Sequence, residues 1–378
     1  MRVLHIITGL GVGGAEQQLR LLLRHLPVRC DVMTLTNPGA VAAGLRADGV
    51  RVAHLGMGGN RDVTAVGRLT RFIRAGGYDL VHTHLYRACV YGRIAARLAR
   101  TRATVATEHS LGRAEIEGRP LTRGTRALYL GTERLGSATV AVSATVAGRL
   151  RDWGVPAARI HLVPNGIDAD RFRFDARERR TTRALLGVPA DAFVVGGVGR
   201  LVPGKRFDVL VRAVAALPGA RLLLAGEGPE AESLRALAGR LGALDRIRFL
   251  GACEADGSGP APGVAALLSA MDVFVSASRE ESFGLAAVEA LAAGLPVLHG
   301  ACPAIDDLPA DRAPGADRFT GGAGELTAAL RHRIRTAAHR LPPPPAVAHY
   351  DIRRSGERLL DIYTHALDTA PPTWRAHS

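Results

Sequence analysis

Lysine is almost absent from this sequence: Lys205 is the only one in 378 residues, and arginine supplies nearly all of a formal net charge of +14. Exchange of lysine for arginine on this scale, in a chain rich in Ala and Gly, reads as a coding bias and says little about partners. Aromatic residues are scarce too, at 4%. That leaves few platforms for stacking bases, and no helix-turn-helix or zinc pattern accompanies the charge, so nucleic acid ranks low as a partner. Cysteine is limited to Cys30, Cys89, Cys253 and Cys302, far apart and without a CxxC. This argues against zinc and a disulfide framework and fits a reducing interior. No apolar run reaches about 18 residues, the length expected of a membrane-spanning helix. The opening Arg2–Ile7 is too short for a signal peptide and runs into glycines, so it reads as a first strand. A cytoplasmic location is expected, with peripheral contact at an acidic inner membrane face left open by the charge.

What is present is enough for two domains of ordinary size, with 47% hydrophobic residues. Strand and helix signals alternate from Val3 onward, which predicts parallel sheets covered by helices on both faces. Strands are expected at Val3–Ile7, Cys30–Leu35, Val50–His54, Asp79–Thr83, Ala103–Thr107 and Ala138–Val142. The segment Arg113–Arg126 lacks periodicity and reads as a mobile loop. Pro164-Asn165-Gly166 is a turn signal, and a boundary is expected between about 168 and 190. The same rhythm then restarts at Phe193–Val198. The pattern gives a first domain over 1–168, a second over 169–350, and a last helix with a frayed tail over 351–378. Two Rossmann-like parallel-sheet domains of this kind imply a cleft between them, with anion-friendly loops on both walls.

Chemistry concentrates at the expected carboxyl ends of the strands. Glycines at 9, 11, 13 and 14 follow the first strand and open a helix. Their spacing is wrong for G-x-G-x-x-G, which leaves a loop for close backbone approach or a structural turn. His109 lies just past the strand Ala103–Thr107, where such sheets place ligands. His82 and His84 sit at a similar edge; spaced i, i+2 with no companion acid, they read as packed histidines rather than metal ligands. In the second half, Arg200 and Lys205 flank a loop after the first strand, and their cations suit a diphosphate. If arginine served equally well at 205, coding bias should have taken that lysine as well. Asp272–Ser276 reads as a short buried strand; the run Arg279 to Ala290 that follows carries carboxylates at Glu281 and Glu289 on either side of Gly284, as turn and helix, with Val297–His299 the next strand. Carboxylates beside an anion site should reach hydrogen-bond donors such as sugar hydroxyls; the alternative is a solvated surface helix.

Gly13-Gly14-Ala15-Glu16, Val163-Pro164-Asn165-Gly166-Ile167-Asp168, Gly199-Arg200 with Lys205, Gly226-Glu227-Gly228-Pro229, and Glu281-Ser282-Phe283-Gly284-Leu285 ending in Glu289 occur in this order. Together they resemble the retaining glycosyltransferases of the GT-B fold, family four (glycosyl transferases group 1), over nearly the whole chain. The resemblance implies a sugar donor carried on a nucleoside diphosphate, UDP-linked first and GDP-linked second, with no further cofactor and no metal. It implies that Arg200 and Lys205 hold the diphosphate, helped by backbone around Gly13 and Gly14 and along Ser282, Phe283, Gly284 and Leu285. Glu289 would take the ribose, Glu281 and His109 the transferred sugar, and residues near Gly251 the base. The last helix would return to the first domain. Transfer would retain configuration by front-face attack, onto a glycan, a lipid-linked intermediate or a small natural product. A nucleotide-sugar epimerase of the same two-domain form is the alternative; an NAD-dependent oxidoreductase fails on the glycine spacing and the cationic loop. One departure stands out: Gly300-Ala301-Cys302-Pro303-Ala304-Ile305-Asp306-Asp307 lacks the usual glycine pair and following Glu.

Overall fold

The structure is a computed structural model that describes residues 1–11, 13–117, 119–253, 262–336 and 339–370. The expected loop Glu254–Pro262 and the tail beyond Ala370 lie almost wholly outside the described residues. The chain forms two compact units, Met1–Gly166 together with Ile352 onward, and Ile167–Asp351.

The first unit is built on seven parallel strands: β1 (Arg2–Gly9), β2 (Arg29–Asn37), β3 (Arg51–His54), β4 (Leu80–His84), β5 (Ala103–Glu108), β8 (Ala138–Ala141) and β9 (Ile160–Leu162). A small antiparallel hairpin, β6 (Glu115–Ile116) and β7 (Arg119–Pro120), stands apart from the sheet. The strand order is β3-β2-β1-β4-β5-β8-β9, so the winding reverses between β1 and β4. Helices α1 (Gly14–His25), α2 (Val41–Ala47), α3 (Thr64–Gly76), α4 (Tyr86–Ala99), α5 (Arg123–Glu133) and α6 (Ala144–Trp153) make the crossovers. Two apolar clusters form around β1: Val3 and Ile7 join one, Leu4 and Ile6 the other. That two-sided burial is why β1 reads as a continuous apolar run rather than an alternating one.

The second unit repeats the plan with α7 (Ala176–Leu185), β10 (Phe193–Val198), α8 (Phe207–Ala215), β11 (Ala220–Ala225), α9 (Ala231–Arg240), β12 (Ile247–Phe249), α10 (Val264–Ala270), β13 (Val273–Ser276), α11 (Leu285–Ala292), β14 (Val297–His299), α12 (Pro303–Asp306), β15 (Ala316–Arg318), α13 (Ala323–Arg335) and α14 (Pro345–His349). Its six parallel strands run β12-β11-β10-β13-β14-β15, with the reversal between β10 and β13. The final helix α15 (Ile352–Asp368) packs on α1 and places Leu359 and Tyr363 in the first unit's core. Ser355 Oγ donates to the Pro164 carbonyl at 2.8 Å, and a Cβ on Gly166 would meet Ile352 Cα at 2.5 Å. Glycine after Asn165 therefore lets the last helix close on the turn.

One sequence expectation needs correcting. Arg113–Arg126 is not one loop: it contains the hairpin and the start of α5, whose Thr122 cap accepts the Thr125 N–H at 3.0 Å. The second unit begins at Ile167, within two residues of the expected start at 169, and the segment from 168 to 190 is part of it, with Asp175 capping α7 and Arg183 buried. The Arg183 guanidinium donates to the Ala270 carbonyl at 2.9 Å and to Asp272 at 2.8 Å. Beyond Gly300, β15 and α13 complete the sheet and its cover.

Candidate active site

The second unit brings its chemistry to the reversal between β10 and β13, the place where open α/β sheets bind ligands. The loop after β10 carries Arg200 exposed and ends in a short turn, Pro203–Lys205, followed by Arg206 in left-handed conformation at φ 52°. The loop after β13 runs from Ala277 to Gly284. Lys205 Nζ forms an ion pair with Glu281, and Ser278 Oγ donates to the same carboxylate at 2.8 Å. The Arg279 N–H reaches the Gly204 carbonyl at 3.1 Å, so the two loops are joined by backbone as well. Gly284 is left-handed at φ 105° and opens α11, and Ala287 N–H donates to its carbonyl at 3.1 Å. A Cβ at Gly284 would collide with Cys302 Sγ. The altered segment after β14 packs at this point. Cys302 packs under the glycine, the Ala304 N–H donates to the Phe283 carbonyl at 2.8 Å, and the Asp306 carboxylate accepts the Cys302 N–H at 2.8 Å. Asp306 thus caps α12 from within it.

Not every residue of the signature faces a ligand. The Phe283 ring is buried edge-on against Tyr350 with centroids 4.9 Å apart, so its side chain holds the loop in place. Ser282 and Leu285 flank it with partial exposure. Gly251, at the end of β12, accepts the Gly226 N–H at 2.7 Å, and a Cβ on Gly226 would strike the Gly199 carbonyl. The carboxyl ends of β10, β11 and β12 are thereby drawn together. Glu289 lies in α11, which packs on the turn Ala169–Phe172, and burial pushes its carboxyl up to about 7 while Arg171 pulls it down. Ser278 and Arg171 were not singled out from sequence. The i, i+3 spacing from Ser278 to Glu281 was the available signal for the first; Arg171 lies 118 positions from Glu289, and only the fold joins them.

In the first unit, Gly13 precedes α1 and Gly14 is its first residue; a Cβ on Gly13 would run into the Glu16 carboxylate. His109 follows β5 directly and His84 ends β4. His84 Nδ1 lies 3.1 Å from His109 Nε2, and His84 Nε2 lies 3.0 Å from His5 Nδ1. His82 joins the group through Thr107 Oγ1 at 2.7 Å and Tyr363 Oη at 2.5 Å. His5, His82 and His84 are the one set of three metal-type ligands found to converge among the described residues, with nitrogens within 4.8 Å of one another. The histidines at 82 and 84 are thus packed, as their spacing suggested, but within a four-histidine cluster. The parallel register of β1 on β4 sets His5 opposite His82. Desolvation holds His5 down at about 3, His109 at about 4, and His82 and His84 well below the usual imidazole range.

Comparison with known proteins accounts for both units. Residues 12–171 match the model for Glycosyltransferase Family 4 and residues 178–317 that for Glycosyl transferases group 1. The chain belongs to the family-four glycosyltransferases. D-inositol 3-phosphate glycosyltransferase of Mycobacterium tuberculosis is 34% identical over 277 residues, 70% of this chain and 55% of that protein. The matched part thus spans about half the length of that curated relative. Anabaena HepE, solved in complex with UDP and glucose, superposes with a TM-score of 0.84 at 23% identity, covering 97% of this chain and 100% of that one. Sucrose-phosphate synthase of Thermosynechococcus elongatus gives 0.71 at 23% identity, covering 97% of each chain. These similarities show the GT-B fold of this glycosyltransferase-family chain. Among its described residues, no helix is long and apolar enough to cross a membrane.

Proposed function

We propose that the protein transfers a sugar, with retention of configuration, from a nucleoside diphosphate donor to a hydroxyl of an acceptor. The observation that carries this reading is the Lys205–Glu281 pair across the β10/β13 reversal, with Arg200 on the same loop. A diphosphate develops charge as the glycosidic bond breaks, and preorganised cations there stabilise the transition state more than the ground state. Lys205 and Arg200 take the diphosphate, Glu289 the ribose hydroxyls, Glu281 and His109 the sugar. The leaving phosphate accepts the acceptor proton, so no protein base is required. HepE was solved with UDP and with UDP-glucose, which supports a UDP-sugar donor. The mycobacterial relatives' name puts a phosphorylated cyclitol beside glycan, lipid-linked and natural-product acceptors, and the net charge of +14 suits an anionic one. A cytoplasmic location remains part of this proposal.

A nucleoside diphosphate should raise the melting temperature with EDTA present, by an amount equivalent to about 2.7 kcal/mol at a hundredfold excess over Kd. UDP should be the most effective, and UDP-glucose should be slowly hydrolysed. No shift with UDP, GDP, ADP or TDP would sink the proposal, and a shift with NAD alone would move the protein to another class.

Glu289 gives the same reading a pH signature. Its folded pKa of about 7 lies above the usual 4.5. The ribose hydroxyls favour the charged carboxylate, so nucleotide binding should release a proton near neutrality. Affinity should therefore rise as pH goes from 6 to 8, by about tenfold at most for one group. Stability runs the opposite way. A raised carboxyl pKa contributes full stability below about 4.5 and loses it as pH rises through about 7, at a cost on the order of 2 kcal/mol. Glu289→Gln should abolish the pH dependence of binding and melt higher than wild type above pH 7. Calorimetry in two buffers of different ionisation enthalpy reads the proton; an unchanged pH dependence in Glu289→Gln would remove Glu289 from the nucleotide.

A further inference from the structure

Two buried nitrogens at the ends of the histidine chain have no hydrogen-bond partner among the described residues: Nε2 of His5 and Nδ1 of His109. Between them run two imidazole contacts, His5 Nδ1 to His84 Nε2 at 3.0 Å and His84 Nδ1 to His109 Nε2 at 3.1 Å. Burial keeps all three rings neutral at pH 7. A neutral imidazole has one N–H and one lone pair, so the three tautomers are not independent. If His5 carries its proton on Nδ1, His84 must carry its own on Nδ1 and His109 must also carry its own on Nδ1. In the opposite sense all three protons sit on Nε2. The chain has two states, and they differ in what His109 offers through Nδ1.

The ends decide between them. One end must hold an unpaired N–H and the other an unpaired lone pair, and a buried N–H without a partner is the rarer defect. His5 is wholly buried in the middle of β1. His109 is partly exposed and, with His84, Thr107 and Asn165, borders a cavity of about 20 Å³. Nδ1 of His109 is itself covered, but the ring borders this water-sized cavity, so an unpaired N–H is better tolerated at this end than inside β1. The ring of His84 is itself held: His82 packs on it with centroids 4.1 Å apart, and Leu85 next to it sits at φ 73°. That is a conformation an L-leucine adopts only under constraint.

We propose that His84, backed by His5, is a positioning residue that locks His109 with its proton on Nδ1, so that His109 meets its ligand as a hydrogen-bond donor and selects an acceptor oxygen there. The consequence for transfer rests on the reading above, in which His109 touches the transferred sugar; the locked tautomer does not. Nitrogen-15 spectra of histidine-labelled protein without ligand test the lock directly. Wild type should show His109 protonated on Nδ1 and bare on Nε2, as a single tautomer from pH 6 to 8. Folded His84→Leu should show averaged nitrogen shifts, and His84→Asn, whose amide can donate toward His109 Nε2, should restore the lock. Turnover of UDP-glucose should fall between about tenfold and a hundredfold in His84→Leu with KM for the donor little changed, and recover in His84→Asn. A wild-type His109 protonated on Nε2 overturns the proposal, and that spectrum needs no variant to fold. So does a single tautomer persisting in folded His84→Leu. So does one equivalent of metal that co-purifies with wild type, resists EDTA and is lost from His5→Asn, because the cluster would then be a metal site. A locked His109 whose replacement by alanine leaves transfer intact would instead count against the sugar contact and leave the lock standing.

Discussion

Lys205→Ala should lose kcat by about a hundredfold or more, the scale of removing one preorganised donor from a developing oxyanion. The fold should survive. Lys205 sits in a surface turn with its side chain 28% exposed, and its partner Glu281 keeps the Ser278 hydroxyl at 2.8 Å. The pair is half-buried, and loss of its ammonium should cost on the order of 2 kcal/mol, so melting should move by a few degrees only. In the protein without ligand Lys205 is held by Glu281, which keeps the cation at the loop junction before the diphosphate arrives. Arg200→Ala, on the same loop and exposed, should show a similar loss of kcat. Lys205→Arg should not restore activity: a planar guanidinium presents a fork where the loops hold an ammonium, and its greater length would have to displace the carboxylate. Near-wild-type kcat in folded Lys205→Ala would mean that the diphosphate departs from somewhere else. Full activity in Lys205→Arg would show that the one lysine of this chain survives by chance.

Much of this site was legible because the chemistry follows the sheet. The alternation of strands and helices placed β1, β10, β13 and β14 close to their observed positions, and residues just past strand ends are where a doubly wound sheet puts its ligands. What stayed hidden needed contacts at long range. Helix α7, ARERRTTRAL, shows no apolar stripe because arginines do its packing: Arg179 and Arg183 both reach Asp272 from its inner side. Helix α5 contains two glycines and buries Thr132 and Glu133, so its periodicity is faint. His5 could not be joined to His82 from sequence, since the parallel register of β1 on β4 across 77 positions is a property of the sheet. The altered turn at 300–307 looked like a loss. Its packing shows an exchange, with Cys302 and Asp306 holding the loop of Glu281 from below.

The two glutamates of the signature should separate by function when each is replaced by glutamine. Glu281 lies in the loop before Gly284, tied to Lys205 and Ser278, whereas Glu289 lies inside α11 facing Arg171. Glu289→Gln should weaken both the free nucleotide and the nucleotide sugar, by roughly 1.5–3 kcal/mol, the worth of a hydrogen bond to a charged group. Glu281→Gln should leave the affinity for the bare diphosphate unchanged or slightly tighter, because Lys205 no longer has a carboxylate to leave before it meets phosphate. Its cost should appear instead in kcat, by about a hundredfold, and in discrimination between UDP-sugars, since its partner exists only in the sugar. Calorimetry of both variants with UDP and with the intact donor separates the cases. Should Glu281→Gln weaken UDP as much as Glu289→Gln does, Glu281 serves the nucleotide, and the ion pair with Lys205 belongs to the scaffold of the diphosphate site rather than to the sugar side.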